Sequence, residues 1–549
     1  AFAKQHDLAR RHFLFALWHW PANPTLMASY ADFHCQMGKS RHVMAMAELA
    51  TYFDPKLFIG WAALGRVLQE SGNRLNNAEQ AFRRALAIRP ADWGVANNLT
   101  VVLQRKGHLA GAISIFRQIL QQQADNSLVW NNYLLALQYA DGYTSEEVAA
   151  EHRLFGERFE PDLKKEWGGY GNERDPGKKL RVGFVSPDLR NHSVAYFVEP
   201  LWACLPKEEI EIVGYHSLAV EDAVSERLKG YCGLWRNVAG MDDTRLAKQV
   251  REDGIDILVD LAGHTGRNRL LVFARKPAPV QVTWLGHPNT TGLTAMDWRL
   301  TDGYADPEGV DHRYTEKLWR LPEVFAVYRP LVRAPELAAD PNYAVRPAPA
   351  LKNGYITFGS CNNLAKLTPP VVALWSRLLK EMPTAKLLIE APGLQQQQFR
   401  AELLARFTAH GISETQIIPL GRDGKKQYLI YNEIDIALDP FPCNGGTTTC
   451  DLLWMGVPLV TMPGDGFMAR MGVSLVSAAG YPEWVAQTED EYIEKARTLA
   501  SDIEALNRLR LSMRCQVEAS PLMDEPRFAR HVANAFRQMW MAWCKRAQQ

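Results

Sequence analysis

Cysteine is scarce and dispersed in these 549 residues. There are eight, at Cys35, Cys204, Cys232, Cys361, Cys443, Cys450, Cys515 and Cys544, with no CxxC pair and no histidine partner at zinc-finger spacing. That argues against a disulfide framework and against structural zinc, and it points to a reducing cytoplasm. An excess of charge of either sign is lacking too. With 62 basic against 61 acidic residues, nothing at the level of the whole chain favours nucleic acid or another polyanion as a partner. No apolar run is long enough to span a bilayer, and the start shows no charged, apolar and small-residue succession of a signal peptide, so no membrane association is expected.

Familiar nucleotide signatures are missing as well. The turn "CNGGTTTCD" (443–451) lacks the Lys-Ser/Thr sequel of a P-loop, and no G-x-G-x-x-G follows the first strand-like run, which disfavours a dinucleotide dehydrogenase. The run "DIALD" is not the short acidic pair of a metal-dependent nucleotide-sugar site. No metal is expected.

The composition, 47% hydrophobic and 22% charged, is that of an ordinary globular protein, and a chain of this length holds about three or four domains. Its first part repeats. Gly38, Gly72 and Gly107 recur at intervals of 34 and 35 residues, the period of helical-hairpin repeats. Around the second glycine the register is Trp61, Leu64, Gly65 and Leu68, then Ala78, Phe82, Ala85 and Pro90; Leu99, Leu103, Gly107, Ala112, Phe116 and Ile119 repeat it. This resembles the tetratricopeptide pattern, a small residue at the helix crossing, an aromatic beside it and a proline closing the pair. Residues 1–160 are read as about four stacked helix pairs, whose product is an extended surface for a protein or peptide.

A polar linker over 161–179 leads into a different grammar, β-branched runs alternating with helical stretches, which reads as parallel sheets. The runs "LRVGFVS", "EIVGYHS", "IDILVDLAG" and "VQVTWLG" belong to a first Rossmann-like domain (180–335). After a Pro/Ala-rich connection (336–350), "YITFGS", "AKLLIEAP", "QIIPLG", "DIALDP" and "PLVTMP" belong to a second (351–520). A closing helix (521–549) carries Phe528, Val532, Ala535, Phe536, Met539 and Trp543 near one face, suited to packing on a sheet domain. The fold class expected is an α-helical repeat superhelix followed by an α/β region of two doubly wound sheets.

In such sheets ligands bind beyond the carboxyl ends of the strands. There the sequence places His192, His264 and His287 in the first domain, with Pro288, Thr290 and Thr291 following the last of them, and Lys366 in the second. One histidine at a strand end is an ordinary capping or buried residue; three, with a lysine and a Gly/Thr turn, argue for a site. A helix beginning near Thr447 would present free amides and a partial positive charge of about half a unit, with Gly445 and Gly446 admitting a ligand and Thr447 and Thr448 adding hydroxyls. That suits a diphosphate.

The motifs "CNGGTTTCDLLWMGVPLVTMPG", "FGSCNNLAKLTP", "RVGFVSPDLRNHS", "WLGHPNTTG" and "MDWRLTD", with the repeats upstream, resemble the protein O-linked N-acetylglucosamine transferases of glycosyltransferase family 41 over nearly the whole chain. The resemblance implies a B-type glycosyltransferase fold, a UDP-N-acetylglucosamine donor without metal or cofactor, and inverting transfer to Ser or Thr of a protein bound along the repeats. It implies that Lys366 meets the donor diphosphate, Asn363 reaches the nucleotide, Thr447, Thr448 and Asp451 serve the helix end and the ribose, and Arg422, Asp423, Gly424 and Gln427 hold uracil. Gly446 and Gln427 both stand where animal members carry histidine, which bears on base stacking. His192 matches a histidine proposed as general base, and Asp253 matches an aspartate invoked for the same role; a donor phosphate oxygen is the third candidate. Conserved form with different chemistry is the rival reading: GDP-fucose or UDP-glucose as donor, nucleotide-sugar epimerisation, or an inactive scaffold.

Overall fold

Why the repeat register holds is visible where two helices cross. A Cβ on Gly65, in helix Phe58–Glu70, would stand 2.4 Å from the ring of Phe82, in helix Leu75–Ile88; the aromatic fills the space the glycine leaves. Phe82, Ala78 and Ala85 are fully buried. The next pair, helices Trp93–Arg105 and Leu109–Gln122, repeats the arrangement with Leu99, Leu103, Ala112, Phe116 and Ile119 inside. Gly107 takes φ +81 in the turn between them, a conformation glycine adopts without steric cost.

The structure is a computed structural model that describes residues 2–36, 42–71, 74–330, 343–423 and 428–545. Gly38 and Gly72 of the expected repeat series lie outside the described residues, as do residues 336–342 of the connection expected at 336–350. The chain divides into two compact units: residues 1–140 with 361–372 and 389–424, and residues 141–360 with 373–388 and 425–549.

In the larger unit seven strands form one sheet in the order β3-β2-β1-β4-β5-β6-β7: β1 Leu180–Ser186, β2 Ile210–His216, β3 Leu234–Asn237, β4 Ile257–Asp260, β5 Val280–Thr283, β6 Trp298–Asp302 and β7 Lys317–Leu321. Neighbours pair in parallel throughout. β4 and β5 are buried along their whole length, which is why they read as continuous apolar runs. The sequence reading finds β1, β2, β4 and β5 and passes over β3, β6 and β7. β3 and β7 are edge strands, half-exposed, with Lys and Arg among Trp and Leu. A second sheet has the order β10-β9-β8-β11-β12, with β8 Thr357–Ser360, β9 Lys386–Ala391, β10 Ile417–Gly421, β11 Ile436–Leu438 and β12 Leu459–Val460. All five fall within the runs read as strands. Helix Glu525–Lys545 buries the expected face, Phe528, Val532, Ala535, Phe536, Met539 and Trp543, against helix Ala195–Cys204, β5 and β7.

Two expectations change. Helix Ser145–Phe159, read as the end of the repeats, belongs to the larger unit. The segment read as a linker is a strap on the first sheet domain: Trp167 Nε1 donates to Ala274 O at 2.8 Å, Tyr170 Oη to Lys276 O at 3.0 Å, and Arg251 reaches Gly168 O at 2.9 Å.

Candidate active site

The strand order of the larger sheet reverses between β1 and β4, so the crevice for a ligand lies at their carboxyl ends. The loop after β1 carries His192. It is fastened by Asp188 N to Ser186 Oγ at 2.9 Å and by Asn191 N to the Asp222 carboxylate at 2.8 Å. The His192 side chain is 40% exposed. Its Nδ1 accepts the Val194 N–H at 3.3 Å, with Asp188 Oδ1 at 3.8 Å. Burial draws its pKa below the ordinary value, Asp188 opposing and Arg190 assisting. The neutral ring held in this way carries its proton on Nε2 and offers a donor.

His264 and His287, read as candidate site residues at the strand ends, are interior residues, each 1% exposed. With His152 of helix Ser145–Phe159 they form a cluster of three rings whose centroids lie 5.0 to 5.2 Å apart. His152 Nδ1 lies 2.7 Å from the Val148 carbonyl and must donate to it, so the 2.9 Å contact between its Nε2 and His287 Nε2 takes its hydrogen from His287. His264 Nε2 donates to Thr291 O at 2.9 Å. Burial holds all three pKa values down, that of His152 to about 4. Thr290 and Thr291 are buried as well, both donating to Glu316. Pro288 alone of this group is half-exposed. The loops after β4 and β5 are wedged together: a Cβ on Gly263 would meet His287 Cβ at 2.2 Å, and one on Gly286 would meet Leu261 O at 2.1 Å.

Asp253 stands apart from the histidine loops. It lies in the turn that enters β4, the end of the strand opposite the histidine loops. Its carboxylate takes Tyr215 Oη at 2.6 Å, Arg236 Nε at 2.7 Å and Nη2 at 2.5 Å, and Gln249 Nε2 at 3.1 Å. Four donors fill the oxygens of a residue 7% exposed, an arrangement that suits a strut.

The Gly/Thr turn forms the start of helix Thr447–Trp454, with Gly446 as the N-terminal cap. Gly446, Thr447 and Thr448 are half-exposed, so the first turn of amides and two hydroxyls stands where an anion could be met. Gly445 plays a different part: its N–H donates to buried Asp439 at 2.7 Å, and a Cβ there would press to 2.5 Å on Thr449 Oγ1. Asp439 also takes Thr461 Oγ1 at 2.7 Å. Asp451, expected at the ribose, is 2% exposed and accepts the hydroxyls of Tyr328 and Tyr431. In the structure it braces the helix from beneath.

In the smaller unit Asn363 caps a 3-10 turn, Leu364–Lys366, accepting Ala365 N–H at 3.2 Å. Lys366, half-buried, places Nζ 3.4 Å from Asn362 Oδ1. Arg422 connects strand ends, with Nε 3.3 Å from Glu390 and Nη2 3.2 Å from Cys361 O, and Asp423 is exposed. Gly424 and Gln427 lie outside the described residues.

Sequence reasoning missed His152, Tyr328 and Asp439, because nothing local distinguishes a buried partner of a distant loop. It also missed a regular feature of the array. Asn97 and Asn132, 35 residues apart on successive repeats, hydrogen-bond at 3.0 Å; the repeat period was the signal that could have found them. Among the described residues no group of three His, Cys, Asp or Glu is placed to hold a metal ion, and no helix is long and apolar enough to cross a membrane.

Comparison with known proteins adds three findings. The sequence model of glycosyl transferase family 41 matches residues 144–330 and 335–532. A tomato (Solanum lycopersicum) protein, named a probable UDP-N-acetylglucosamine–peptide N-acetylglucosaminyltransferase SPINDLY, is 40% identical over 431 residues, 77% of this chain and 45% of that protein. An Arabidopsis thaliana protein of the same description, SEC, is 30% identical over 411 residues, 74% of this chain and 42% of its own length. The chain thus spans about half the length of the curated relatives it matches. Among solved structures, a lysine-to-methionine variant of the Thermobaculum terrenum O-GlcNAc transferase superposes with a TM-score of 0.88 at 32% identity, covering 95% of this chain and 98% of that one.

Proposed function

Because the chain belongs to glycosyltransferase family 41, we propose that it transfers N-acetylglucosamine from UDP-N-acetylglucosamine to Ser or Thr hydroxyls of a protein, with inversion and without a metal. The observation that carries this reading is the likeness, over nearly the full length of both chains, to an O-GlcNAc transferase. The printed names of the plant relatives agree with it.

In this reading the donor diphosphate meets the amides and hydroxyls of Gly446, Thr447 and Thr448, and Lys366 answers the charge that grows on the leaving phosphate. A fixed cation stabilises that charge more in the transition state than in the ground state, which is the condition for raising turnover. The acceptor hydroxyl oxygen bonds to the anomeric carbon as the bond from that carbon to the phosphate oxygen breaks; UDP leaves. The hydroxyl proton passes to a donor phosphate oxygen, since Asp253 is saturated with donors and His192 presents an N–H. Pro288 and His192 border the acceptor. The protein acceptor lies along the repeats, the extended surface that such arrays present to a protein or peptide. Scattered thiols suit work in the cytoplasm.

The test is calorimetric titration of UDP, GDP and UDP-N-acetylglucosamine with a chelator present, followed by transfer to peptide. Uridine-selective binding that survives the chelator, with transfer, is the expected result. Guanosine selectivity overturns the donor, loss of binding in chelator overturns metal independence, and no binding to any of the three overturns the enzymatic reading.

A further inference from the structure

Within the smaller unit, the repeats do more than extend a surface. The turn Lys106–His108, between helices Trp93–Arg105 and Leu109–Gln122, rests on the 3-10 turn that carries Lys366. A Cβ on Gly107 would stand 3.3 Å from Leu364 O and 3.8 Å from Ala365 Cα. Leu364 O is the carbonyl that closes the turn, accepting Leu367 N–H at 3.1 Å, while Lys366 N donates to Asn363 O at 2.9 Å.

Both sides of this contact are fixed. On the array, Lys106 Nζ pairs with Glu79 at 2.7 Å, the two side chains 6% and 12% exposed, and lies 5.7 Å from the centre of the Phe399 ring. Asn76 Nδ2 reaches Glu402 at 3.3 Å. On the loop, Arg406 donates to Leu367 O, and Leu364 and Ala365 are buried. A positive φ alone would explain a glycine in a repeat turn; Asn would serve nearly as well. The approach to Leu364 O adds a second demand, since a Cβ at 3.3 Å is tighter than most such contacts and the turn would have to give by a few tenths of an ångström.

We propose that the repeat array is a structural part of the donor machinery, with Gly107 as the positioning residue that sets the Lys366 turn. The inference rests on the proposed function, in which Lys366 meets the leaving diphosphate. A displacement of about 1 Å in such a group is enough to cost up to about a hundredfold in rate.

Gly107→Asn tests it, since Asn accepts the left-handed turn and still crowds Leu364 O. The expected result is turnover lower by about threefold to tenfold, with UDP affinity and melting temperature near those of the parent. In Lys366→Met the same substitution costs no further turnover, because the group it displaces is gone. Equal and additive losses in the two backgrounds, or unchanged turnover in a folded Gly107→Asn, overturn the proposal. If Gly107→Asn does not fold, Lys106→Met combined with Glu79→Gln loosens the same anchor and is read in the same cycle. Full turnover in Lys366→Met itself condemns the lysine assignment and the inference with it. An impaired Lys366→Met beside a normal Gly107→Asn removes the positioning role alone.

Discussion

His192 accepts the Val194 N–H at Nδ1, and burial keeps the ring neutral at pH 7. A neutral imidazole with its hydrogen on Nε2 can hold an oxygen but has no lone pair there to take a proton. His192→Gln, which keeps an N–H donor, should therefore retain more turnover than His192→Ala. The acid limb of the pH profile should persist in His192→Gln, and its disappearance would return the histidine to the role of base. Asp253 calls for the opposite pattern. Asp253→Asn leaves Arg236 and Tyr215 without their charged acceptor, a loss of about 1–3 kcal/mol for a charged hydrogen-bonding group that is partly screened at Arg236. Urea unfolding should show that loss while kcat per folded molecule stays unchanged; a kcat fall at constant stability would contradict the placement. The sequence marks both residues equally as candidate bases. What separates them is which end of the sheet each occupies, His192 beyond the carboxyl end of β1 and Asp253 before the amino end of β4, and that depends on the path of the chain rather than on residue type.

Helix Ser145–Phe159 shows how an element is assigned by its neighbour and not by its pattern. Its periodicity is helical, so it reads as one more repeat helix. Beside Val148, Ala149 and Phe155, its buried face includes a glycine and a histidine, neither of which signals this packing. A Cβ on Gly156 would fall 1.9 Å from Gly292 O, and one on Gly292, itself at φ +76, 1.9 Å from His152 O. Glu160 beyond the helix takes Thr294 Oγ1 and Ala295 N, each at 2.5 Å. Gly156→Ala should lower the melting temperature by several degrees, since backbone must shift to make room and such overpacking costs about 1–3 kcal/mol. The histidine cluster adds a pH dependence. Each ring has a folded pKa below the unfolded value near 6.5, so the unfolded chain binds protons first. The stabilisation is full above about pH 6.5 and is lost as pH falls toward the His152 value of about 4. Melting temperature measured across that window should fall, and His152→Phe should flatten the fall if it folds; an equal slope in the variant would place the acid sensitivity elsewhere. The strands show the same limit in reverse: β1 and β4 declare themselves because both faces are buried, whereas β3 and β7, at the edges, mix charge into the run.

At the scale of the molecule the sequence shows the order of parts plainly, with the repeat period first, then strand runs, then a closing helix. It does not show how those parts share residues. The smaller unit joins residues 1–140 to 361–372 and 389–424, segments that a linear reading assigns to the second sheet domain. The reason lies in particular side chains. Phe399, Leu403 and Phe407 are 3%, 3% and 0% exposed, and Phe399 lies under Lys106 of the array while Glu402 between them meets Asn76. A chain beginning at residue 141 would therefore strip cover from helix Gln397–Thr408 and from the turn that carries Lys366, not merely remove a binding surface. Such a truncation should unfold over a broadened transition and lose UDP affinity, while the seven-stranded sheet, whose β1 to β7 lie wholly after residue 141, keeps its own cooperative melt. Calorimetry of unfolding and of UDP binding on the same truncated chain checks both. Parent-like UDP affinity there would mean that the repeats only present the acceptor; loss of affinity beside an intact second transition would mean that the array and donor site fold as one.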